Sequence, residues 1–553
     1  MSYNAADITE LDDVQHTRLR PAVNLGLDVL NTALRELVDN AVEEVADPSH
    51  GGSTVTITLH ADGSVSVADD GRGLPIDSDP VTGKNGIVKT LGTARAGGKF
   101  SAHSDATSTG AGLNGIGAAA ALLAACGART PEPGKTEITL MRFFGSCEAQ
   151  FGSVAKTSEG VGECGIVTAL VNEFNATNPD GIVVKTQIGE WGPYYDQLTA
   201  RLVAKDVPSV AVMHESALGD YVRRQLVLPL DADFARLGVP VDDFTDHARR
   251  GTTFNGQTYA LPFDTWAWLW HMNTRLFKQA GLLGASGEPV LPRSPDELLA
   301  QARQFKQRTG KPYFAWAVAN ETAANNRTFL TLVAQQGAPL FSADGKRIDM
   351  HQPAVAHALT LMQTLYREGH VRPNLDYAAA NQAFLNGEAG VVVVGTWTID
   401  QFLRESRKPD SRLQGGYTVR PFPQLYARPA VFADGHSWAL FKGGTRDAKA
   451  HEAALKFLKF IWDRSPEWAR TGHLPVSKTV AQSEAFRALP LRAALTEITQ
   501  TGVGMPGNVP TQRGIELLIG EDVANLLISA KPVAEVQASV EKRVNKALSK
   551  ARR

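Results

Sequence analysis

Cysteine is scarce here: the 553-residue chain has three, Cys126, Cys147 and Cys164. No C-x-x-C pair occurs among them, which argues against the common zinc spacings. Long apolar runs are missing as well. The best candidate, residues 116–125, is mostly alanine and falls short of the ~20 residues that cross a bilayer. Neither sign of charge dominates: 56 Lys and Arg face 58 Asp and Glu, for a net charge of −2. Such a balance gives no general attraction for nucleic acid or an anionic membrane. The one basic cluster, KRVNKALSKARR at the C-terminus, reads as the solvated face of a terminal helix. HExxH, GxSxG and Walker A motifs are all absent. The opening MSYNAADITELDDVQ is acidic and polar, unlike a secretory signal, so the chain as written is expected to stay in the cytoplasm.

What is present falls into two parts. Around ELVDNAVEE the apolar residues recur at helical spacing, and TVTITLHADGSVSVADD alternates about an ADG turn, the mark of a β-hairpin. DDGRGLP, AGGKF and GAGLNGIG follow. A helix bearing Glu and Asn, a strand ending in Asp-Asp-Gly and a glycine-rich loop together suit a nucleotide. Asp69 would accept the adenine amino proton, while Gly71 and Gly73 let the backbone approach the base. Asn40 would hold Mg²⁺ through its amide oxygen, and Glu36, one turn earlier, would polarise a water. The amides of residues 112–117 would bind phosphate oxygens.

In order and spacing, these motifs resemble the GHKL-type ATPase domain of type IIA topoisomerases, the gyrase B and topoisomerase IV E family. The resemblance implies a Bergerat-type α+β fold with ATP and Mg²⁺ as ligands. It makes Glu36 the general base, Asn40 the magnesium ligand and Asp69 the adenine-binding aspartate. Arg72 and Pro75 flank the base, Lys99 is the AGGKF lysine, and Gly112, Gly115 and Gly117 are the lid glycines. The family's RPGMYIG is here RPAVNLG, without the aromatic contact. Nothing after Gly117 continues the family: its transducer with the γ-phosphate lysine and its DNA-cleavage modules are not found. The fragment is therefore expected to be truncated and without ATP turnover.

Beyond residue 136 the pattern changes. ITLMRFF, IVVKTQI and SVAVMH read as strands, with helical GIVTALVNEFNATNP and YYDQLTARLVAKD between them, which predicts parallel βαβ units. SPDELLAQARQFKQRTG and AHEAALKFLKFIWD read as further helices. Tryptophan is the conspicuous chemistry, concentrated in FDTWAWLWH. Such rings suit the apolar faces of sugars, with short polar groups for the hydroxyls. Trp268, Trp462 and Trp468, on apolar or helical stretches, read instead as core, while Trp397, at a strand end after a glycine, reads as a ligand contact.

NGQTYALPFDTWAWLWHMNTRLFKQAGL, with LVLPLD before it and SPDELL, AFLNGEAGVVVVGTW and GHLPVSK after it, resembles the extracellular solute-binding proteins of carbohydrate ABC transporters. The resemblance implies two α/β lobes joined by crossing segments and closing over a carbohydrate, with permease membrane subunits as partners. It requires no cofactor in this part, and it implies ligand contacts at Glu148, Trp191, Glu215, Asp264, Trp266, Trp397 and Asp434. LAAC, ending at Cys126, fits a lipobox, and GARTPEPGK fits the tether that follows one. If this part were exported, Cys126 would be lipidated and Cys147 could pair with Cys164. In a cytosolic chain, buried free thiols are expected instead.

The expected layout is an ATPase-like fragment over 1–118, a lipobox-like linker over 119–136 and a two-lobe solute-binding domain over 137–553. The expected function is carbohydrate capture for an ABC transporter. The alternative is an ATP-binding topoisomerase subunit, named from the first 118 residues.

Overall fold

The computed structural model describes residues 37–39, 41, 42, 44–46, 51–59, 65–72, 135–319 and 322–551. The chain divides into two units, Met1–Glu132 and Pro133–Arg553.

In the first unit the alternating segment forms the expected hairpin. β1 (Val55–Leu59) pairs antiparallel with β2 (Val65–Asp69), Ile57 opposite Val67 and Val55 opposite Asp69. Residues 37–39, 41, 42 and 44–46 are helical. Glu36, Asn40, Gly73, Pro75, Lys99, Gly112, Gly115, Gly117 and Cys126 lie outside the described residues.

The second unit begins with β3 (Thr136–Arg142), α1 (Gly162–Thr177), β4 (Ile182–Ile188), α2 (Tyr194–Val203), β5 (Val210–His214) and α3 (Glu215–Arg223). β3 runs parallel to both β4 and β5. These are the βαβ units the strand and helix periods predict, and their inner faces build the first lobe's core around Leu140, Ile166, Val184 and Val212. β6 (Leu261–Asn273) follows, a strand of 13 residues buried along its whole length. Burial on both faces removes polar alternation, which is why FDTWAWLWH reads as an aromatic run rather than as a strand.

The second lobe comprises α4 (Pro295–Thr309), β7 (Phe314–Ala317), α5 (Thr322–Ala334), β8 (Val371–Leu375), β9 (Val391–Gly395) and β10 (Tyr417–Pro421). α4 starts where SPDE announces it: Ser294 Oγ accepts the Glu297 N–H at 3.1 Å, and Gly310 ends it at φ 70°, the left-handed stop that glycine adopts without strain. Then β11 (Val431–Leu440) returns to the first lobe, where α6 (Ala448–Asp463) packs. α7 (Gln512–Ile528) and α8 (Val533–Lys550) close the chain against the second core. The basic C-terminal stretch thus lies on α8 as far as Lys550, and no described helix is long and apolar enough to cross a membrane.

One continuous sheet runs β8-β7-β9-β6-β11-β5-β3-β4, with β10 also on β6. β6 and β11 are its shared members. Leu261 and Phe263 of β6 belong to the first core, but Trp266 to Met272 belong to the second. β11 makes the reverse crossing, from Val431–Ala433 in the second core to Trp438–Leu440 in the first. A third crossing follows α6, since Trp468 sits in the first core while Ala469 and Leu474 sit in the second. Leu474 bonds Thr265 of β6 through both backbone groups at 2.9 Å.

Candidate ligand-binding site

Strand register assembles the site. β6 and β11 run antiparallel, with Asp264 opposite His436 and Trp266 opposite Asp434, and His214 at the end of β5 lies opposite His436. Directly opposed residues share a face, as do residues two apart on one strand. Asp264, Trp266, Asp434, His436 and His214 therefore converge where the two cores meet.

Asp264 is fully buried and well supplied with donors. Its Oδ2 accepts the His436 Nδ1–H at 2.9 Å and the Trp468 indole N–H at 2.7 Å, and its Oδ1 accepts the His436 backbone N–H at 3.2 Å. Burial alone would raise its pKa, but His436, His473 and the Trp468 bond outweigh that and hold it low. Donor atoms of Asp264, His436 and His473 all lie within 4.8 Å of one another. The carboxylate already accepts three N–H bonds, so this is a hydrogen-bonded clasp rather than a cation cradle.

Asp434 is spent on the fold too. It accepts the Ser216 N–H (3.1 Å) and hydroxyl (2.6 Å) at the start of α3, and the Gly435 N–H (2.8 Å). Glu215 is buried beside it, in a slot where a Cβ on Gly251 or Gly435 would strike its carboxyl. Burial, then Asp434 and Asp264, push its pKa well up, which favours the neutral acid. His214 goes the other way: burial drives its pKa well down. Its Nδ1 accepts the Tyr195 hydroxyl at 2.7 Å, while its backbone N–H donates to that same oxygen at 2.7 Å.

The aromatic residues divide by exposure. Trp266, at 1 % exposed, carries the Arg327 guanidinium 4.4 Å over its ring, so stacking by a sugar there is blocked on that face. Trp268, Trp270, Trp316, Trp438 and Trp468 are buried core residues. Trp191, at 39 % exposed, and half-buried Trp397 remain open. Trp397 packs edge-on against Trp266 at 5.6 Å, and its indole N–H donates to the Tyr377 hydroxyl at 2.7 Å. Trp191 lies 5.2 Å under the guanidinium of Arg513, which bonds Glu516 at 2.7 Å. Burial opposes the charge on Arg513, but Glu516, Tyr195 and Asp434 raise its pKa. Ring contacts run from Trp191 through His214 to Trp266 and Trp397. Six of the seven expected contacts therefore come together. Glu148 is not among them; it pairs with buried Arg142 at 3.2 Å beside the Cys147–Cys164 disulfide, whose Cα atoms are 6.1 Å apart. The expectation of free thiols is thus corrected for these two: Gly145 turns the chain back at φ 80°, close to Cys164.

Arg327, Arg513, Glu516, His214 and His436 have no local motif that announces them, and GHLPVSK marks the stretch of His473 but not its role. They lie on separate elements, and only the topology gathers them.

In the first unit, Asp69 closes β2 and accepts the Gly71 N–H at 3.1 Å. Asp70 instead braces the hairpin's far end, accepting the Ser53 and Thr54 N–H groups at 2.7 Å, which lowers its pKa. Arg72 pairs with Glu44 at 2.9 Å, a partner on the helix that sequence reading misses. An acid and a glycine at a strand end, with the arginine held beside them, fit the base end of a nucleotide site.

Comparison with known proteins agrees with both halves. The family model of bacterial extracellular solute-binding proteins matches residues 165–462. That of histidine kinase-, DNA gyrase B- and HSP90-like ATPases matches residues 27–144. Over 142 residues the chain is 81 % identical to topoisomerase subunit TopoN of Mycolicibacterium smegmatis, covering 26 % of this chain and 19 % of that protein. Over 118 residues it is 38 % identical to the mitochondrial DNA gyrase B protein of Arabidopsis thaliana, 21 % of this chain and 16 % of that one. The chain thus spans about a fifth of the curated relatives it matches. Among solved structures it is similar to maltose-bound MalE3 of T. maritima (TM-score 0.61, 19 % identity, 74 % of this chain and 99 % of that one). The GacH receptor of Streptomyces glaucescens, solved unliganded and with acarbose, gives 0.61 at 17 % identity, over 75 % and 99 %. A chitin oligosaccharide binding protein gives 0.62 at 19 %, over 75 % and 99 %. At these identities the likeness establishes the fold: a bilobed α/β fold of the periplasmic-binding-protein type.

Proposed function

Because the chain belongs to the family of bacterial extracellular solute-binding proteins, we propose that it captures a carbohydrate between its lobes and delivers it to the membrane subunits of an ABC transporter. The observation that carries this reading is the pair of open tryptophans, Trp191 and Trp397, at the two ends of an aromatic chain that spans the lobes. Their rings cover apolar sugar faces. The carboxyl of Glu215, the Tyr377 hydroxyl and the guanidinium of Arg513 serve hydroxyl groups, which must find partners once they leave water. Asp264, Asp434 and Trp266 act behind that surface: the two carboxylates brace strands and helix, and Trp266 supports Arg327.

The Cys147–Cys164 disulfide supports export of this part, since such bonds persist in oxidising compartments,. The lipobox-like LAAC ending at Cys126 points the same way, with Cys126 as the lipid-bearing residue. At the N-terminus, Asp69, Gly71 and Arg72 would hold the adenine, and Asn40 would hold Mg²⁺. The sequence resemblance includes no counterpart of the γ-phosphate lysine, so we expect no ATP turnover from this fragment, and the solute-binding family match favours capture over the topoisomerase reading.

Calorimetric titration of the full chain with maltose, maltotriose and chitin oligosaccharides tests the proposal. Saturable binding of one of them supports it. Binding of none, with a peptide or polyamine bound instead, rejects the ligand class.

A further inference from the structure

All three segments that cross between the lobes contribute one side chain to a single buried cluster. Asp264 comes from β6, His436 from β11, and His473 from the stretch after Trp468. His473 also reaches both lobes. Its Nε2–H donates to Glu163 Oε1, in the first turn of α1, at 2.8 Å. Its Nδ1 meets Thr396 Oγ1, immediately beyond β9, at 3.0 Å.

We propose that His473 is a proton-gated clasp of the hinge: charged, it is held by the carboxylates of Glu163 and Asp264 while it contacts Thr396 of the second lobe. The clasp slackens when one proton leaves and that attraction is lost, although Nδ1 can still accept the Thr396 hydroxyl,. The charges around it come from every element packed against it. Glu163 faces it from α1 and Asp264 from β6, the latter at 3.8 Å. The His436 ring of β11 lies 5.6 Å away, the Trp468 ring stacks on it at 5.5 Å, and Arg492 adds a nearby positive charge. Burial and Arg492 disfavour the charged ring. Asp264 and Glu163 outweigh them, so His473 keeps its proton above the ordinary imidazole range.

The direction of the effect follows from linkage. A raised imidazole pKa adds stability that is complete below the unfolded value of about 6.5 and is lost as pH rises through the folded value. Opening that parts Glu163 of α1 from the ring removes a carboxylate and so lowers the ring's proton affinity, whereas Thr396 is neutral and its loss alone does not. Closing therefore takes up protons, and by reciprocity alkaline pH favours opening and ligand release.

Two arms test this on the full chain. The first needs no ligand: urea unfolding between pH about 5.5 and about 9, for wild type and for His473→Gln. Wild type should lose stability toward the alkaline end, and the variant should show a flatter profile over that range. Glu163→Gln serves where His473→Gln does not fold; it keeps the histidine and should move the alkaline loss to lower pH. Identical pH profiles for wild type and both variants overturn the clasp. The second arm rests on the sugar-binding reading: affinity should weaken several-fold across this range in wild type and change little in His473→Gln. Sugar affinity with the same pH dependence in both proteins overturns the coupling to closure. Failure of all sugars to bind removes the ligand reading, and the first arm still decides the clasp.

Discussion

Replacing Asp264 by asparagine exchanges one carboxylate oxygen for an NH₂ group at a point where only hydrogen-bond donors face it. If the nitrogen takes the Oδ2 position, it meets the Trp468 indole N–H, which cannot reverse its polarity, and the His436 Nδ1 side. If it takes the Oδ1 position, only the His436 backbone N–H loses its acceptor. The second orientation is cheaper, and leaving one buried donor unpaired costs about 1–3 kcal/mol. The remaining bonds also lose their charge-assisted strength, roughly half of it, so the total should reach about 2–4 kcal/mol. Domains of this kind are stable by about 5–15 kcal/mol, so the variant should fold and be measurable. Urea unfolding at neutral pH, followed by tryptophan fluorescence, should show a lower midpoint with an unchanged slope. The pH profile adds a second check. Asp264 has a lowered pKa, so its contribution is present above the unfolded value of about 3.9 and disappears as pH falls through the folded one. The wild type should therefore lose more stability than the variant on acidification below that value. A midpoint shift worth less than about 0.5 kcal/mol, the scale of an ordinary surface change, would refute this account of the crossing segments.

Reduction of the Cys147–Cys164 bridge, which closes a separation of 17 residues, should cost about 2–4 kcal/mol; thermal unfolding with and without dithiothreitol measures it, and an unchanged midpoint counts against the bridge. Gly472→Ala places a Cβ 2.1 Å from the Thr396 carbonyl oxygen on a backbone at φ 126°, and should destabilise by more than about 3 kcal/mol; near-wild-type urea stability would show that the third crossing is more pliable than it is drawn. Steady-state phosphate release from ATP should stay at background, and turnover abolished by Glu36→Ala would restore the enzymatic reading of the N-terminal fragment.

Local periodicity made much of the architecture legible. The hairpin β1–β2 alternates strictly, and the first lobe's strands and helices switch between periods of two and 3.6 where ITLMRFF, GIVTALVNEF and IVVKTQI predict. β6 resisted this kind of reading because a strand buried on both faces carries no alternation. The tryptophans were only partly legible: a strand end after a glycine set Trp397 apart, but spacing alone could not show that Trp266 and Trp270 of FDTWAWLWH are buried. The clasp lay furthest from view. Asp264 and His436 are 172 residues apart in sequence, and only the antiparallel register of β6 and β11 sets them opposite each other. GHLPVSK pointed to the right stretch through the resemblance, but not to the role of its histidine.

The central claim is that the open tryptophans of the two lobes hold a sugar. The most direct measurement is calorimetry of the full chain with its best-binding oligosaccharide, for wild type, Trp191→Ala, Trp397→Ala and Trp270→Ala. Loss of a stacking ring forfeits its buried apolar area and a further contribution of about 1 kcal/mol, and about 1.4 kcal/mol is a factor of ten. Affinity should therefore fall by roughly tenfold or more at Trp191 or Trp397. Trp270, in the second lobe's core, should lower stability and leave the affinity of the folded protein close to wild type. Unchanged affinity in both Trp191→Ala and Trp397→Ala would contradict the account.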